Sequence, residues 1–169
     1  TLGNGGGVFA SGPMTMTSST VVNNSAEMGS GGGLYVSGDL VIKDSQIEKN
    51  ISRFSSGGGI FVFGTARVGN TGFISNSASL RGGGLAADAG VEVQNSQFFH
   101  NLGAQSGGGL DVQGNLIVTS SLFISNTANV GGGVFHSATG DGRVINSLFA
   151  RNVGSASGAS ALHLAATGH

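Results

Sequence analysis

The sequence predicts an all-β fold, a parallel β-helix (β-solenoid) of about six coils of 24–26 residues, with 1–169 forming a single segment. Three observations carry that expectation. Glycine triplets begin at Gly5, Gly31, Gly57, Gly82, Gly107 and Gly131, in steps of 26, 26, 25, 25 and 24 residues. Asparagines recur at Asn24, Asn50, Asn76, Asn101, Asn126 and Asn152, each three residues after an apolar side chain: Val21, Ile47, Phe73, Phe98, Phe123 and Phe149. Between these markers apolar residues alternate at period two over short stretches, and nowhere is a long 3.6-residue helical period kept. A unit of this size cannot bury its apolar face alone, so stacked copies must share one core.

Each copy has the same order of parts. The triplet occupies a tight bend, where left-handed angles or close backbone approach exclude a Cβ. A short strand follows ("VFA", "LYV", "IFV", "LAA", "LDV"), then a turn such as "SGD" or "QGN", then a second alternating stretch ("MTM", "LVI", "ARV", "VEV", "LIV"). A Ser/Thr row comes next (Ser19, Ser45, Thr71, Ser96, Ser121, Ser147), and then the apolar-x-x-Asn signature. This amounts to two or three short strands per coil. Stacked about 4.8 Å apart, the asparagines form a ladder whose amides bond to their neighbours above and below. The apolar column changes from aliphatic to aromatic after Ile47, so the section widens or repacks there.

Composition narrows the function classes. Charged residues are 9 % of the chain and the net charge is −1, so there is no basic stripe to neutralise phosphates and no nucleic-acid partner is expected. No polybasic anchor and no apolar run of membrane-spanning length is present. With 33 glycines but one proline, the chain is not collagen-like, and with 38 % hydrophobic residues it is expected to pack. Cysteine is absent, which removes disulfides and thiolate metal sites. "TLGNGGGVFA" begins inside a repeat and "ALHLAATGH" stops inside one, so the segment reads as an excerpt of a longer repeat protein.

The motifs "GGGL…FISN" and "GGGV…FARN" resemble the paired Gly-Gly-Ala-Ile/Leu/Val and Phe-x-x-Asn repeats of chlamydial polymorphic membrane proteins. Those are autotransporter passengers used for adhesion at the cell surface, and similar repeats occur in large secreted β-helix proteins of environmental bacteria. The resemblance covers essentially the whole chain. It implies a right-handed β-helix, the hand also favoured for parallel crossovers, and an extracellular or cell-surface location. The third triplet position is Gly rather than Ala throughout, which sets this chain outside the typical chlamydial pattern.

Candidate chemistry is sparse. The glycine triplets lack the following helix and the Lys-Ser/Thr of a phosphate loop. Of eight acids, Asp39 and Asp141 fall in turns, and Asp44 sits at a corner where it is expected to hold backbone amides. Asp88 and Asp111 lie on neighbouring coils with no Lys or Arg in the matching row, and are the best pair for glycoside chemistry. His136 takes an inward core position; His100, His163 and His169 form no ligand set, so no metal and no cofactor is expected. Sequons at Asn23 and Asn50 are accidental, since a glycan on Asn50 would break the ladder. An ice-binding face would need regular outward Thr, whereas the second strand presents Thr15, Val41, Arg67, Glu92, Ile117 and Arg143.

One outward row is more suggestive: Phe9, Tyr35, Phe61, Ala86, Asp111, Phe135 and then His163. Its aromatics Phe9, Tyr35, Phe61 and Phe135 are the candidate binding residues, offering flat rings to sugar faces, another rod or a neighbouring domain. The expected role is a non-enzymatic, extracellular or cell-surface β-helix: a rigid stalk, adhesive passenger or filament segment. Its partners would be a protein or glycan surface, or further copies in a fibre. The alternative is a polysaccharide-binding or polysaccharide-cleaving β-helix.

Overall fold

The computed structural model describes residues 3–137, 140–156 and 161–164. Its strands wind into a parallel β-solenoid of about six turns, with no helix among the described residues. Four sheets run along the axis. The first holds seven strands, from Val8–Ala10 to Leu162–Leu164. The second runs from Met14–Thr17 to Gly142–Ile145, the third from Thr20–Val22 to Leu148–Ala150, and the fourth from Ser25–Ala26 to Val153–Gly154, with six strands each. Like residues stack in register, as in Val21↔Ile47↔Phe73↔Phe98↔Phe123↔Phe149.

Each coil therefore has four strands, more than the two or three expected. The fourth follows the ladder asparagine and is only two residues long in coils such as Ser25–Ala26 and Ser77–Ala78, too short for an alternation to show. Three left-handed corners join the sheets. The first is the leading glycine of each triplet, with φ of 59–71°. The second is Ser18, Asp44, Asn70, Asn95, Ser120 and Asn146, and the third is Asn23, Lys49, Ser75, His100, Ser125 and Arg151, all non-glycine residues with φ of 47–58°. Short polar side chains tolerate that region, which suits the second corner. At the third, Lys49, His100 and Arg151 are held there by the ladders on either side.

The glycines after the leading one serve a different need. A Cβ on Gly59 would sit 2.5 Å from the carbonyl oxygen of Gly84 in the next coil and 2.8 Å from Ile47 Cγ2. The third position excludes alanine here because coils touch backbone to backbone at this bend.

Length variation is confined to two corners. From leading glycine to ladder asparagine the count is 19 in five coils (Gly5 to Asn24, through Gly107 to Asn126) and 21 in the sixth (Gly131 to Asn152). The extra residues fall between His136 and Gly142. From ladder asparagine to the next triplet the count shrinks from 7 (Asn24 to Gly31) to 6 (Asn76 to Gly82) to 5 (Asn126 to Gly131). This fourth-to-first-sheet corner is also where the pairing register shifts, between Gly103 and Ser106.

Inside, the phenylalanine column stacks with ring centroids 4.5, 4.6 and 4.9 Å apart and rings within 5° of parallel. Where Ile47 gives way to Phe73, the second sheet gives up volume in the same coil: Leu40 becomes Ala66 and Ile42 becomes Val68. The section repacks there by exchange between sheets. His136 is buried in the inward row, with Nε2 against the carbonyl oxygen of Gly114 at 2.8 Å.

Candidate functional surface

The asparagine row is built on the third corner, which turns each amide inward. In Asn50, Nδ2 donates to Asn76 Oδ1 at 3.1 Å and to the carbonyl of Val21 at 2.9 Å. Its Oδ1 accepts from the backbone N–H and from Nδ2 of Asn24, both at 3.0 Å. Asn76, Asn101 and Asn126 repeat this pattern, each reaching back to the carbonyl of the column residue one coil earlier, Ile47, Phe73 and Phe98. Asn152 closes the described row with Nδ2 on the carbonyl of Phe123 at 2.7 Å. Each interior asparagine thus binds three coils at once, and Asn50, Asn76 and Asn126 are wholly buried. A glycan on Asn50 has no room.

The hydroxyl row is simpler. Ser96 Oγ donates to the carbonyl of Gln94 and accepts the backbone N–H of Thr71 at 3.1 Å, and Ser121 does the same toward Thr119 and Ser96. Asp44 does not hold backbone amides as expected. Its Oδ1 accepts from Asn70 Nδ2 at 2.9 Å, because both residues occupy the exposed second corner. Asp39 instead caps a backbone: it accepts the N–H and the hydroxyl of Thr65, which together hold its carboxyl below the usual carboxylate range.

The outward row of the first sheet is in register from Phe9 through Tyr35, Phe61, Ala86, Asp111 and Phe135 to His163. Phe9 is 57 % exposed, Tyr35 half-buried and Phe61 only 7 % exposed. The rings of Phe9, Tyr35 and Phe61 are parallel within 7°, with centroids 5.3 and 5.4 Å apart, and Phe135 stacks on His163 at 5.1 Å. Both faces of Tyr35 are therefore occupied by its neighbours. A sugar cannot lie flat on it, and contact with this part of the row goes through ring edges.

Asp88 and Asp111 do not form an open pair. Arg81, from the corner before the fourth triplet, reaches over the first sheet. It pairs with Asp88 and places Nη1 3.3 Å from Asp111 Oδ1. Gln113 Nε2 donates to Asp111 Oδ1 at 2.8 Å, and Ser106 Oγ donates to Oδ2. Asp111 is fully buried, and that burial pushes its carboxyl above the ordinary value against the pull of Ser106, Gln113 and Arg81. Burial also works against the charge of Arg81, but Asp88 and Asp111 together hold it above its ordinary range. The matching strand row holds no Lys or Arg, as the sequence indicates, and the cation arrives instead from a corner far from that row in the alternation pattern. Two carboxylates closed by one guanidinium are a fastening. They lack the separated, free acid and base that glycoside cleavage uses.

The chain matches no family model, no curated protein and no solved structure.

The described residues hold no group of three or more His, Asp or Glu placed to share a metal ion, and no helix long and apolar enough to cross a membrane is found among them. His169 lies outside the described residues. What sequence reasoning missed is the outer face of the second sheet. There Arg67 and Glu92, on adjacent coils, lie 3.6 Å apart with side chains 69 % and 55 % exposed. Their row lacks the regular Thr of an ice-binding face and carries no other motif; the signal for it in the sequence is the pair of glycines, Gly69 and Gly90, in the flanking rows.

Proposed function

We propose that this chain is a non-enzymatic structural and adhesive β-helix, acting outside the cell or at its surface as a rigid rod whose outward rows carry contacts. The observation that supports this reading most is the repetition of the fastening. The same asparagine amide ties each coil to the next from Asn24 to Asn152, beside a ring column and a hydroxyl row, while the best acidic pair is spent on Arg81. Such ladders resist unwinding and hold surface side chains at fixed spacing, which suits a stalk, passenger or filament segment. Location at the surface rests on the repeat resemblance.

Contacts on the first sheet would be made by Phe9 and by the ring edges of Tyr35 and Phe135, toward a protein or glycan surface or another rod; Phe61, expected in the same set, is buried and stacks on Tyr35. Beads coated with the chain are expected to adhere to a cell or polysaccharide surface, and Phe9→Ser, which removes a ring stacked on Tyr35 at the exposed end of the row, is expected to abolish most adhesion with only a small fall in Tm. Electron microscopy tests the filament variant, which dispersed short rods would eliminate. A polysaccharide-cleaving β-helix is the rival: cleavage of any polysaccharide that disappears in Asp88→Asn or Asp111→Asn would overturn the proposal.

A further inference from the structure

We propose that the outer face of the second sheet is a saccharide site, made of two hollows on either side of the Arg67–Glu92 pair. It names a ligand for the adhesive reading above and rests on that reading. The face has three outward rows in register. The central row is Thr15, Val41, Arg67, Glu92, Ile117 and Arg143; one flanking row is Thr17, Lys43, Gly69, Gln94, Thr119 and Ile145. The other runs along the turns through Asp39, Thr65, Gly90, Asn115 and Asp141. Both flanking rows lose their side chain beside the charged pair, at Gly69 in the third coil and Gly90 in the fourth.

The gap at Gly69 opens a hollow of about 180 Å³ walled by Lys43, Arg67, Glu92 and Gln94. The gap at Gly90 opens one of about 190 Å³ walled by Thr65, Arg67, Glu92 and Asn115. Each has room for one six-membered sugar ring. Their floors are three residues apart along one strand, Ala66 to Gly69, about 10 Å, so one extended chain would seat its first and third rings in the two hollows with a ring over the Arg67–Glu92 pair between them.

The chemistry selects the ligand class. The backbone below is paired within the sheet, so a guest meets side chains and cannot add a strand. Lys43 and Arg67 donate, Glu92 accepts, and Gln94 and Asn115 carry amides that do both. The 3.6 Å separation of Arg67 and Glu92 leaves each with free hydrogen-bonding positions. Lys43 and Arg67 are offset by Glu92 and by Asp39, which feels Arg67, so the face favours neither an anion nor a cation. Closely interleaved donors and acceptors of both signs suit a neutral polyol, whose every hydroxyl donates and accepts.

The test uses the whole chain and a set of neutral hexasaccharides: cello-, manno-, xylo- and chitohexaose. Wild type is expected to bind at least one in calorimetry. Gly69→Gln places in the hollow the residue that the next coil already carries, and a Cβ there meets nothing closer than Lys43 Cγ at 3.7 Å, so folding is expected to stand. Gly69→Gln and Glu92→Ala are each expected to raise Kd at least tenfold with Tm unchanged. Failure of all four sugars to bind wild type at millimolar concentration would overturn the proposal, as would undiminished binding by Gly69→Gln. Binding that is lost in Phe9→Ser but kept in Glu92→Ala would also overturn it. Bead adhesion that persists while no sugar binds would remove this site and leave the adhesive reading standing.

Discussion

Single side chains here are stabilised or strained by what the next coil does. Asn101 is the clearest case. Replacing it with Ala leaves Asn76 without the oxygen that accepts both its backbone N–H and its Nδ2, and takes from the carbonyl of Phe73 and from Asn126 Oδ1 the bond that Asn101 Nδ2 gives each, although Asn126 Oδ1 keeps the backbone N–H of residue 101. At about 1–3 kcal/mol for each buried group left unpaired, Asn101→Ala is expected to lower the urea midpoint severely. Asn24→Ala, at a half-buried position with a partner on one side, is expected to cost less. Arg81 and Asp111 give an asymmetric pair. Arg81→Ala strands a buried carboxylate and is expected to cost about 3–5 kcal/mol, whereas Asp111→Asn removes the buried charge and is expected to cost far less.

The same carboxyl sets a pH dependence. A folded-state value raised above the unfolded one means that the native state holds the proton more tightly. The resulting stability is present below the unfolded value of about 3.8 and is lost as pH rises through the higher folded value. Denaturation at pH 7 and pH 4 is therefore expected to show wild type gaining on Asp111→Asn as the solution is acidified. An unchanged difference would mean that Asp111 is not buried as seen.

Among elements, the triplet bend and the second-sheet strands respond oppositely to an added methyl. Gly59→Ala drives a Cβ to 2.5 Å from the Gly84 carbonyl oxygen, and overpacking of this kind costs about 1–3 kcal/mol. Gly69→Ala, on an open strand face, is expected to be neutral or mildly stabilising, because alanine restricts the unfolded chain more than glycine does. Thermal unfolding of the two variants side by side checks both. The bend was legible in the sequence as a glycine requirement. The third corner was not: Lys49 and Arg151 adopt left-handed angles there with no local preference for them. The fourth strand escaped as well, since two residues carry no period.

Across the whole molecule, each coil touches only its neighbours, so stability spreads along the rod as a sum of coils and interfaces. Amide exchange is expected to be slowest around Phe73, Phe98 and Phe123, whose rings are fully buried, and faster at Gly142–Ile145 and Leu148–Ala150, whose strands are largely exposed or half-exposed. Uniform protection from first coil to last would contradict a stacked-coil description.

Period, strand patterning and the identity of the stacking rows follow from the sequence alone, because a repeat near 25 residues that stacks in register forces like onto like. The closure of Arg81 over Asp88 and Asp111, the ring-to-ring contacts that hide both faces of Tyr35, and the hollows beside Arg67 and Glu92 do not follow from it. Those features depend on how far a corner side chain reaches across a sheet and on what stands one coil above or below. Both are set by distances in space that a one-dimensional pattern does not carry.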